Sequence, residues 1–281
     1  MSQSESSPGS SFPGSSILDL DAALAVAKEA ARAAGAVQKA HLSSLGNVRH
    51  KGGNAKDVVT EVDDECERLI REMILGAFPT HTILGEEGGS VAGSDPRYRW
   101  VVDPLDGTVN YAHGFPFFCV SIALEAEGEI VVGVVYGPMQ DELFTAVKDQ
   151  GATLNGQPIH VSGASDLRES LLTTGFPYDP SLFHRAMVAF EALNLQSRAV
   201  RRAGSAALDL CYVACGRFEG YWELVIMPWD VAAGVLIITE SGGTVTRPDQ
   251  TAFSIECGDV LATNGLIHSR LALALAAAEG I

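Results

Sequence analysis

The stretch Trp100-Val-Val-Asp-Pro-Leu-Asp-Gly-Thr-Val-Asn110 decides how this 281-residue chain folds and what it binds. Its apolar start predicts a buried strand that ends in two carboxylates, Asp103 and Asp106. Buried carboxylates lose their water and repel each other, and a cation beside them would offset that cost. Gly107 lets the backbone come close to a ligand, where free N–H groups suit a phosphate. The stretch therefore predicts a divalent-metal site that also holds a phosphate.

The same residues have a second interpretation as a plain turn. Asp-Pro-x-Asp-Gly is a favourable turn sequence for reasons of backbone geometry alone. Taken by itself, the stretch gives the two interpretations equal weight. Three further acidic positions shift the balance toward the metal site.

Each of these further acids stands at a predicted strand or helix end. Glu86 follows a short apolar run in Leu84-Gly-Glu-Glu-Gly-Gly89, where a strand ends in carboxylates beside glycine. Asp230 opens a helical pattern after Pro228, and Asp63 precedes an amphipathic one. A carboxylate at a helix N-terminus is favourable without any metal, so capping alone also explains Asp63 and Asp230.

The composition limits the possible partners. The formal net charge of −16 leaves no basic face to offset the phosphates of a nucleic acid or an anionic membrane surface. No apolar run reaches the roughly 18 residues of a membrane span. A phosphorylated substrate still needs positive charge, and bound metal ions would supply it. The five cysteines are scattered and odd in number, which favours a reducing compartment.

Periodicity predicts an α+β chain of two lobes, about 17–148 and 149–281, after a disordered Ser-rich tail over 1–16. Helices are expected over 17–44, 63–78, 182–195, 205–215, 229–241 and 266–278. Strands are expected over 82–84, 100–103, 117–125, 130–136, 143–147, 171–174, 199–202, 218–222, 243–246 and 260–263. Positions 46–54 are expected to form a loop.

Together the motifs resemble those of the inositol monophosphatase family, the magnesium-dependent, lithium-sensitive phosphatases. The family pattern Asp-Pro-x-Asp-Gly-Thr-x-Asn is present at 103–110, and Trp-Asp-x-Ala-(Ala/Gly)-Gly at 229–234. The Gly-Glu-Glu and Val-Thr-x-x-Asp elements stand at 85–87 and 59–63. The resemblance extends from about residue 17 to the last helix and implies a layered α/β/α/β/α sandwich. Periodicity alone reaches only α+β.

One branch of the family is the most similar. Lys51-Gly52 before the Val-Thr element and Tyr221-Trp-Glu223 resemble the plastid-type plant and algal members. This similarity implies residence in a chloroplast, and otherwise a soluble, intracellular protein of the cytoplasm. A homodimer is usual in the family and is expected here.

The resemblance also implies a set of metal ligands. A first Mg²⁺ would bind Glu86, Asp103 and the carbonyl of Leu105, and a second would bind Asp103, Asp106 and Asp230. A third, looser ion would lie near Glu86, held mostly through water. Oxygen-only ligands suit a hard ion such as Mg²⁺.

The remaining roles follow from the same resemblance. Thr108, oriented by Asp63, would align or deprotonate the attacking water, with Glu86 as a further catalytic residue. Glu223 would accept hydrogen bonds from ring hydroxyls, although an ordinary strand-end carboxylate is the alternative. The other substrate contacts would be Asp106, Gly107, Thr108, Gly204, Ser205, Ala206 and Asp230.

The sequence therefore predicts a magnesium-dependent phosphomonoesterase acting on a small polyol phosphate, with myo-inositol 1-phosphate as the first choice. Enzymes of the same superfamily offer three alternative substrates: L-galactose 1-phosphate, histidinol phosphate and fructose 1,6-bisphosphate. An alternative of another class is a non-catalytic metal- or ligand-binding regulatory module.

Overall fold

The computed structural model describes residues 18–42, 48–50, 58–177 and 179–279. The predicted tail 1–16 and most of the predicted loop 46–54, with Lys51, lie outside these ranges. Within them the α-helices are α1 Leu20–His41, α2 Glu61–Ala77, α3 Thr108–Ala112, α4 Pro180–Gln196, α5 Ala206–Ala214, α6 Pro228–Glu240 and α7 His268–Glu279. None of these helices combines the length and the apolar character needed to cross a lipid bilayer.

The strands of the described residues form one hairpin and two larger sheets. The hairpin pairs β1 Val48–His50 with β2 Val58–Thr60. An eight-stranded sheet has the order β10-β9-β8-β7-β6-β5-β3-β4, built from β3 His81–Gly85, β4 Gly89–Val91, β5 Asp95–Asp106, β6 Cys119–Ala126, β7 Glu129–Gly137, β8 Glu142–Val147, β9 Ala152–Leu154 and β10 Gln157–Pro158. A five-stranded sheet has the order β12-β11-β13-β15-β14, built from β11 Leu171–Thr174, β12 Ala199–Arg201, β13 Gly220–Glu223, β14 Thr244–Thr246 and β15 Val260–Thr263.

Helices and sheets alternate in layers, and this confirms the predicted mixed α+β sandwich. Helices α1 and α2 cover one face of the eight-stranded sheet. Helices α5 and α6 lie between the two sheets, and α4 and α7 cover the outer face of the five-stranded sheet. The order of layers is therefore α/β/α/β/α. The two-lobe boundary near residue 148 stays a prediction.

The outer helical layer packs closely because its contacting residues are small. Ala23, Ala27 and Ala30 are fully buried on the inner face of α1. A Cβ on Gly35 would lie 2.6 Å from the Tyr136 ring on β7, so only glycine permits the helix to approach the sheet this closely. Small buried residues thus replace the large apolar side chains of a typical amphipathic helix.

The middle layer is apolar on all sides because it faces a sheet in both directions. Almost the whole of α5 and most of α6 are buried. Gly234 of α6 faces Leu210 of α5, where an added Cβ would lie 2.6 Å from a leucine carbon. A Cβ on Gly133 of β7 would likewise lie 2.8 Å from the Ala233 carbonyl oxygen of α6. These contacts set the close approach of α5 to α6 and of α6 to the eight-stranded sheet.

Several short elements were not foreseen from the sequence. The predicted loop contains β1, and the predicted strand 100–103 is the middle of a longer strand, β5, which pairs with β6 and β3. Helix α3 and the strands β4, β9 and β10 were also missed. Apart from β5, all are five residues or shorter, which is too short for a hydrophobic period to show, and the short strands pair as local hairpins.

His81 gives a testable consequence of this packing. The Trp100 indole donates to His81 Nδ1 (3.1 Å), and the imidazole stacks on Phe78. Burial lowers the pKa of His81 below the ordinary 6.5. Below about pH 6.5 the unfolded chain therefore binds more protons, so stability falls as the pH falls.

We expect the stability of the His81→Gln variant to fall less between neutral and acidic pH than that of the wild type. Chemical unfolding at about pH 7 and about pH 5 measures it, because the free energy of unfolding should fall less in the variant than in the wild type. His113→Gln, at an exposed position, is the control and should keep the wild-type difference. If the free energy of unfolding of His81→Gln fell between the two pH values as much as that of the wild type, buried His81 would not be a source of the acid sensitivity.

Candidate active site

Three carboxylates meet in one cleft between the two sheets. Asp103 and Asp106 come from the end of β5, and Asp230 from the first turn of α6. One oxygen from each lies within 4.8 Å of the others. Asp103 and Asp106 are buried, and Asp230 is half-buried. The cleft has a volume of about 450 Å³, and all three line it.

A β-bulge brings the two acids of β5 to the same side. Asp103 pairs with Ser121 and Asp106 with Cys119, so β5 has one more residue than β6 between these pairs. In a regular strand, residues three apart would point to opposite faces. The extra residue restores the same face, and Asp103 Oδ1 stabilises the turn by accepting from the Leu105 N–H (2.9 Å).

Asp106 is fixed by the start of α5. Its Oδ2 accepts from the Ser205 hydroxyl and from the Ala207 N–H, both at 2.7 Å. The Cys119 thiol lies 3.7 Å from the same oxygen. Burial raises the pKa of Asp106 to about 6, although the hydrogen bonds oppose the shift. Ser205 was predicted as a substrate contact, and its side chain is used to orient a carboxylate.

Thr108 and Asp63 form a second arm of the cleft. The Thr108 hydroxyl is 3.1 Å from Asp63 Oδ1 and 3.0 Å from the Leu105 carbonyl, and it donates its single proton to one of them at a time. Asp63 Oδ2 accepts from the Thr60 N–H and hydroxyl at the start of α2. Burial raises the pKa of Asp63 to about 6. Asp63 therefore caps its helix and contacts the cleft residue as well.

Gly107 gives Thr108 its position at the start of α3. Its φ of 97° lies in the left-handed region that favours glycine. A Cβ there would also lie 3.0 Å from the Phe117 carbonyl. The chain therefore turns sharply from β5 into α3, with Leu105 and Thr108 both on the cleft wall.

Glu86 reaches the cleft from the parallel neighbour of β5. It follows β3 directly, and its N–H donates to the Val102 carbonyl (3.2 Å). Burial, together with the charges of Glu86 and the other cleft acids, raises the pKa of Asp103 well above its ordinary value. Burial likewise raises the pKa of Asp230, again with Glu86 contributing.

The other end of the cleft carries Glu223 at the end of β13. Its carboxylate accepts from the Tyr221 hydroxyl (2.5 Å) and lies so close to Gly175 that a Cβ there would be 1.9 Å away. Burial raises the pKa of Glu223 to about 7, and the Arg202 guanidinium opposes the shift. Arg202 lies over the Phe176 ring, 5.9 Å from its centroid.

The predicted residues assemble as follows. The cleft wall includes Glu86, Asp103, Leu105, Asp106, Gly107, Thr108, Gly204, Ser205, Ala206, Glu223 and Asp230. Asp63 contacts Thr108 from behind the wall. Arg201 is exposed and does not line the cleft among the described residues, whereas Arg202 does.

Sequence reasoning missed Asp209, the fourth residue of α5. It is 1% exposed, lines the cleft, and its Oδ1 has no hydrogen-bond partner. Burial raises its pKa well above the ordinary value. Asp209 stands four residues after Ser205, which places it on the same helix face as a predicted site residue, and this spacing could have identified it. The apolar neighbours of Asp209, however, predicted only a core helix.

The donor set suits a hard divalent cation. The clustered ligands are all carboxylate oxygens, without histidine or cysteine, and they are buried close enough to raise each other's pKa. A cation would replace that repulsion by attraction. The arrangement can therefore hold a metal ion at one end of the cleft and a hydroxylated group at the Glu223 end.

The fold and the cleft define a phosphatase of the layered sandwich class. The family model described as "Inositol monophosphatase family" matches residues 19–279. The chain therefore belongs to the inositol monophosphatase family, and it is a hydrolase of the phosphatase type.

Relatives from cyanobacteria and plants support this membership. The chain is 46% identical to the inositol-1-monophosphatase of Synechocystis sp., over 92% of this chain and 90% of that protein. It is 44% identical to the Arabidopsis thaliana protein named "Phosphatase IMPL1, chloroplastic", over 80% of this chain and 62% of that protein. The solved inositol monophosphatase of Anabaena (Nostoc) sp. PCC 7120 superimposes with a TM-score of 0.81 at 47% identity, covering 91% of this chain and 96% of that one.

The carboxylate cluster predicts how metal affects stability. We expect Mg²⁺ to raise the melting temperature of the wild-type protein, because it binds the folded cluster and relieves its repulsion. Asp103→Asn should melt no lower than the wild type without metal, and it should lose most of the Mg²⁺-dependent rise. Differential scanning calorimetry at several Mg²⁺ concentrations measures both quantities.

Glu72→Gln is the matched control, since it removes one charge at an exposed position of α2. It should keep the full Mg²⁺-dependent rise. An equal rise in Asp103→Asn would show that the metal binds elsewhere.

Proposed function

We propose that this phosphatase hydrolyses the monoester of a small polyol, with myo-inositol 1-phosphate as the first substrate, and that it uses two to three Mg²⁺ ions. The observation that carries the proposal is the joint presence, in one cleft, of the Asp103, Asp106 and Asp230 cluster and of the hydroxyl-accepting Glu223. The name inositol-1-monophosphatase, borne by the Synechocystis relative, agrees with this substrate.

The metal ligands are proposed by motif and position. Glu86, Asp103 and the Leu105 carbonyl would hold the first ion, and Asp103, Asp106 and Asp230 the second. A third ion would lie near Glu86. When bound, Mg²⁺ lowers the pKa of water and neutralises negative charge on the phosphate oxygens.

The protein's own residues would orient the reacting groups. The Thr108 hydroxyl can donate its hydrogen bond to Asp63 Oδ1 or to the Leu105 carbonyl, which leaves its lone pairs free to accept a hydrogen bond from the attacking water. The N–H groups of Gly107 and Thr108 would hold phosphate oxygens. As the water oxygen bonds to phosphorus it gives up a proton, the P–O bond to the polyol breaks, and the departing alkoxide takes up a proton from a second water, so that the products are the free polyol and inorganic phosphate.

The polyol would lie between Glu223 and the start of α5. Glu223 accepts hydrogen bonds, and its position is fixed by Tyr221. The backbone of Gly204, Ser205 and Ala206 would offer further contacts to the ring. A cleft of about 450 Å³ is within the usual range for a small ligand.

The arrangement favours a monophosphate over a bisphosphate. A second phosphate needs its own cationic pocket, and Arg202 is the only cation on the described cleft wall. Arg202 faces the carboxylates of Glu223 and Asp209, whose charges it partly neutralises. L-galactose 1-phosphate and histidinol phosphate carry a single phosphate and stay as alternatives. The chloroplast location and the homodimer stay predictions; a chloroplastic relative agrees with the first.

A panel of purified-enzyme assays tests the reaction. Phosphate release from myo-inositol 1-phosphate should require Mg²⁺ and should fall on addition of Li⁺. It should exceed release from L-galactose 1-phosphate, histidinol phosphate and fructose 1,6-bisphosphate. Asp230→Asn should lower kcat by about 100-fold or more while circular dichroism stays unchanged, since loss of a positioned charge-stabilising group costs at least this much.

Two outcomes of these assays would change the proposed substrate or reject the proposed metal site. Faster turnover of another ester would change the substrate and keep the site. Full activity of Asp230→Asn, or release that is independent of Mg²⁺, would reject the metal site.

Glu223 should affect substrate choice more than the chemical step. At an assay pH of about 8, above its pKa of about 7, Glu223 is mostly ionised. Glu223→Gln keeps the shape of the side chain but removes this charge, and hydrogen bonds to charged groups are worth about 1.5–3 kcal/mol. We expect KM for myo-inositol 1-phosphate to rise about tenfold or more, while kcat/KM for glycerol 2-phosphate, which lacks the ring, changes little. An equal loss for both substrates would show that Glu223 does not read ring hydroxyls.

A further inference from the structure

The turn that carries Glu86 is closed around a buried carboxylate from another element. Glu67, on α2, is 4% exposed. Its Oε2 accepts from the Glu87 N–H (2.7 Å), and its Oε1 accepts from the Gly88 N–H (2.9 Å). One carboxylate thus binds two successive backbone donors directly after Glu86.

We propose that Glu67 is a positioning residue that sets the place of Glu86 in the metal site. The proposal rests on the proposed function, because it needs Glu86 to act as a metal ligand. Glu67 itself does not line the described cleft, so it acts through the turn.

Two glycines show how closely the turn wraps around this carboxylate. A Cβ on Gly85 would lie 2.6 Å from the Glu67 carboxyl carbon. A Cβ on Gly88 would lie 2.7 Å from Glu67 Oε1. Neither distance is possible for a real side chain without movement of the turn or of Glu67. The glycines of the Gly-Glu-Glu-Gly segment are therefore required by the contact with α2.

Arg71 completes the contact one helical turn further along α2. Its guanidinium pairs with Glu67 Oε1 (2.8 Å) and donates to the Gly89 carbonyl (3.0 Å). Both side chains of the pair are largely buried, at 21% and 5% exposure. The pair therefore differs from the exposed Arg68–Glu72 pair on the same helix, where both side chains are 62% exposed and no loop is bound.

Helix α2 thereby holds two parts of the site from one face. Asp63, one turn before Glu67, orients the Thr108 hydroxyl. Glu67 holds the backbone that follows Glu86. The spacing i, i+4 places both acids on the buried side of the helix. Their contacts fix the nucleophile-orienting group and a metal ligand relative to one rigid element.

The test uses Glu67→Gln in the full-length protein. The amide offers one acceptor where the turn needs two, and it removes the charge opposite Arg71. We expect the Mg²⁺ concentration for half-maximal activity to rise about tenfold, the usual loss when a group that orients a metal ligand is changed. The kcat at saturating Mg²⁺ should recover to near the wild-type value, and KM for substrate should stay unchanged.

A second readout uses Mg²⁺ alone, without substrate. Isothermal calorimetry should show the same weakening of at least one class of Mg²⁺ sites. Glu72→Gln is the matched control and should titrate like the wild type. Gly88→Ala, which pushes on the same contact from the loop side, should reproduce the shift if Glu67→Gln folds poorly.

The outcomes separate this proposal from the proposed function. Wild-type protein that binds no Mg²⁺ would reject the metal site itself, and the role of Glu67 with it. Wild-type binding with an unchanged Mg²⁺ midpoint in both Glu67→Gln and Gly88→Ala would overturn only the positioning role. If Glu67→Gln lowered the melting temperature and left the Mg²⁺ midpoint unchanged, Glu67 would only stabilise the fold, and the positioning role would again be overturned.

Discussion

Repulsion among buried carboxylates is the constraint on which the rest of this structure depends. Asp103, Asp106 and Asp230 place one oxygen each within 4.8 Å of the others, although burial and neighbouring negative charge raise the pKa of each. Such a cluster is unfavourable unless the fold holds the carboxylates in place and positive charge neutralises them. The fold does the first through a β-bulge and two helix starts. The chain has a net charge of −16 and offers few cations of its own for the second, which is why we propose that bound metal ions neutralise the cluster.

Asp63 and Asp230 each cap a helix and also take part in the candidate site. Helix capping and a role in the site are therefore compatible explanations for an acid at these positions. Asp63 uses Oδ2 for the Thr60 end of α2 and Oδ1 for Thr108. Asp230 accepts from the Met227 N–H at the start of α6 while it belongs to the cluster. A carboxylate has two oxygens with several lone pairs, and this allows one oxygen to hold the chain and the other to face the cleft.

The sequence allowed prediction of those features that depend on residues close together along the chain. The motifs around Asp103 and Asp230 gave the cluster, and periodicity gave the long helices and the main strands. The bulge between Asp103 and Asp106 was not visible, because it exists only in the pairing of β5 with β6. Glu67 and Asp209 were missed for a related reason. Glu67 belongs to a charged helix that looks solvated from the sequence, and Asp209 stands among apolar neighbours. The role of each depends on a loop or cleft that tertiary packing brings to it.

Cys119 lies against the oxygen of Asp106 that α5 holds in place, and this has a chemical consequence. Burial, reinforced by the charge of Asp106, raises the pKa of its thiol well above the ordinary value. Because the thiolate is the reactive form, Cys119 should resist alkylation and oxidation while β6 and α5 stay packed. The exposed Cys257 would react freely without reaching the cleft. The rate at which Cys119 is modified would therefore report how often this wall of the cleft opens.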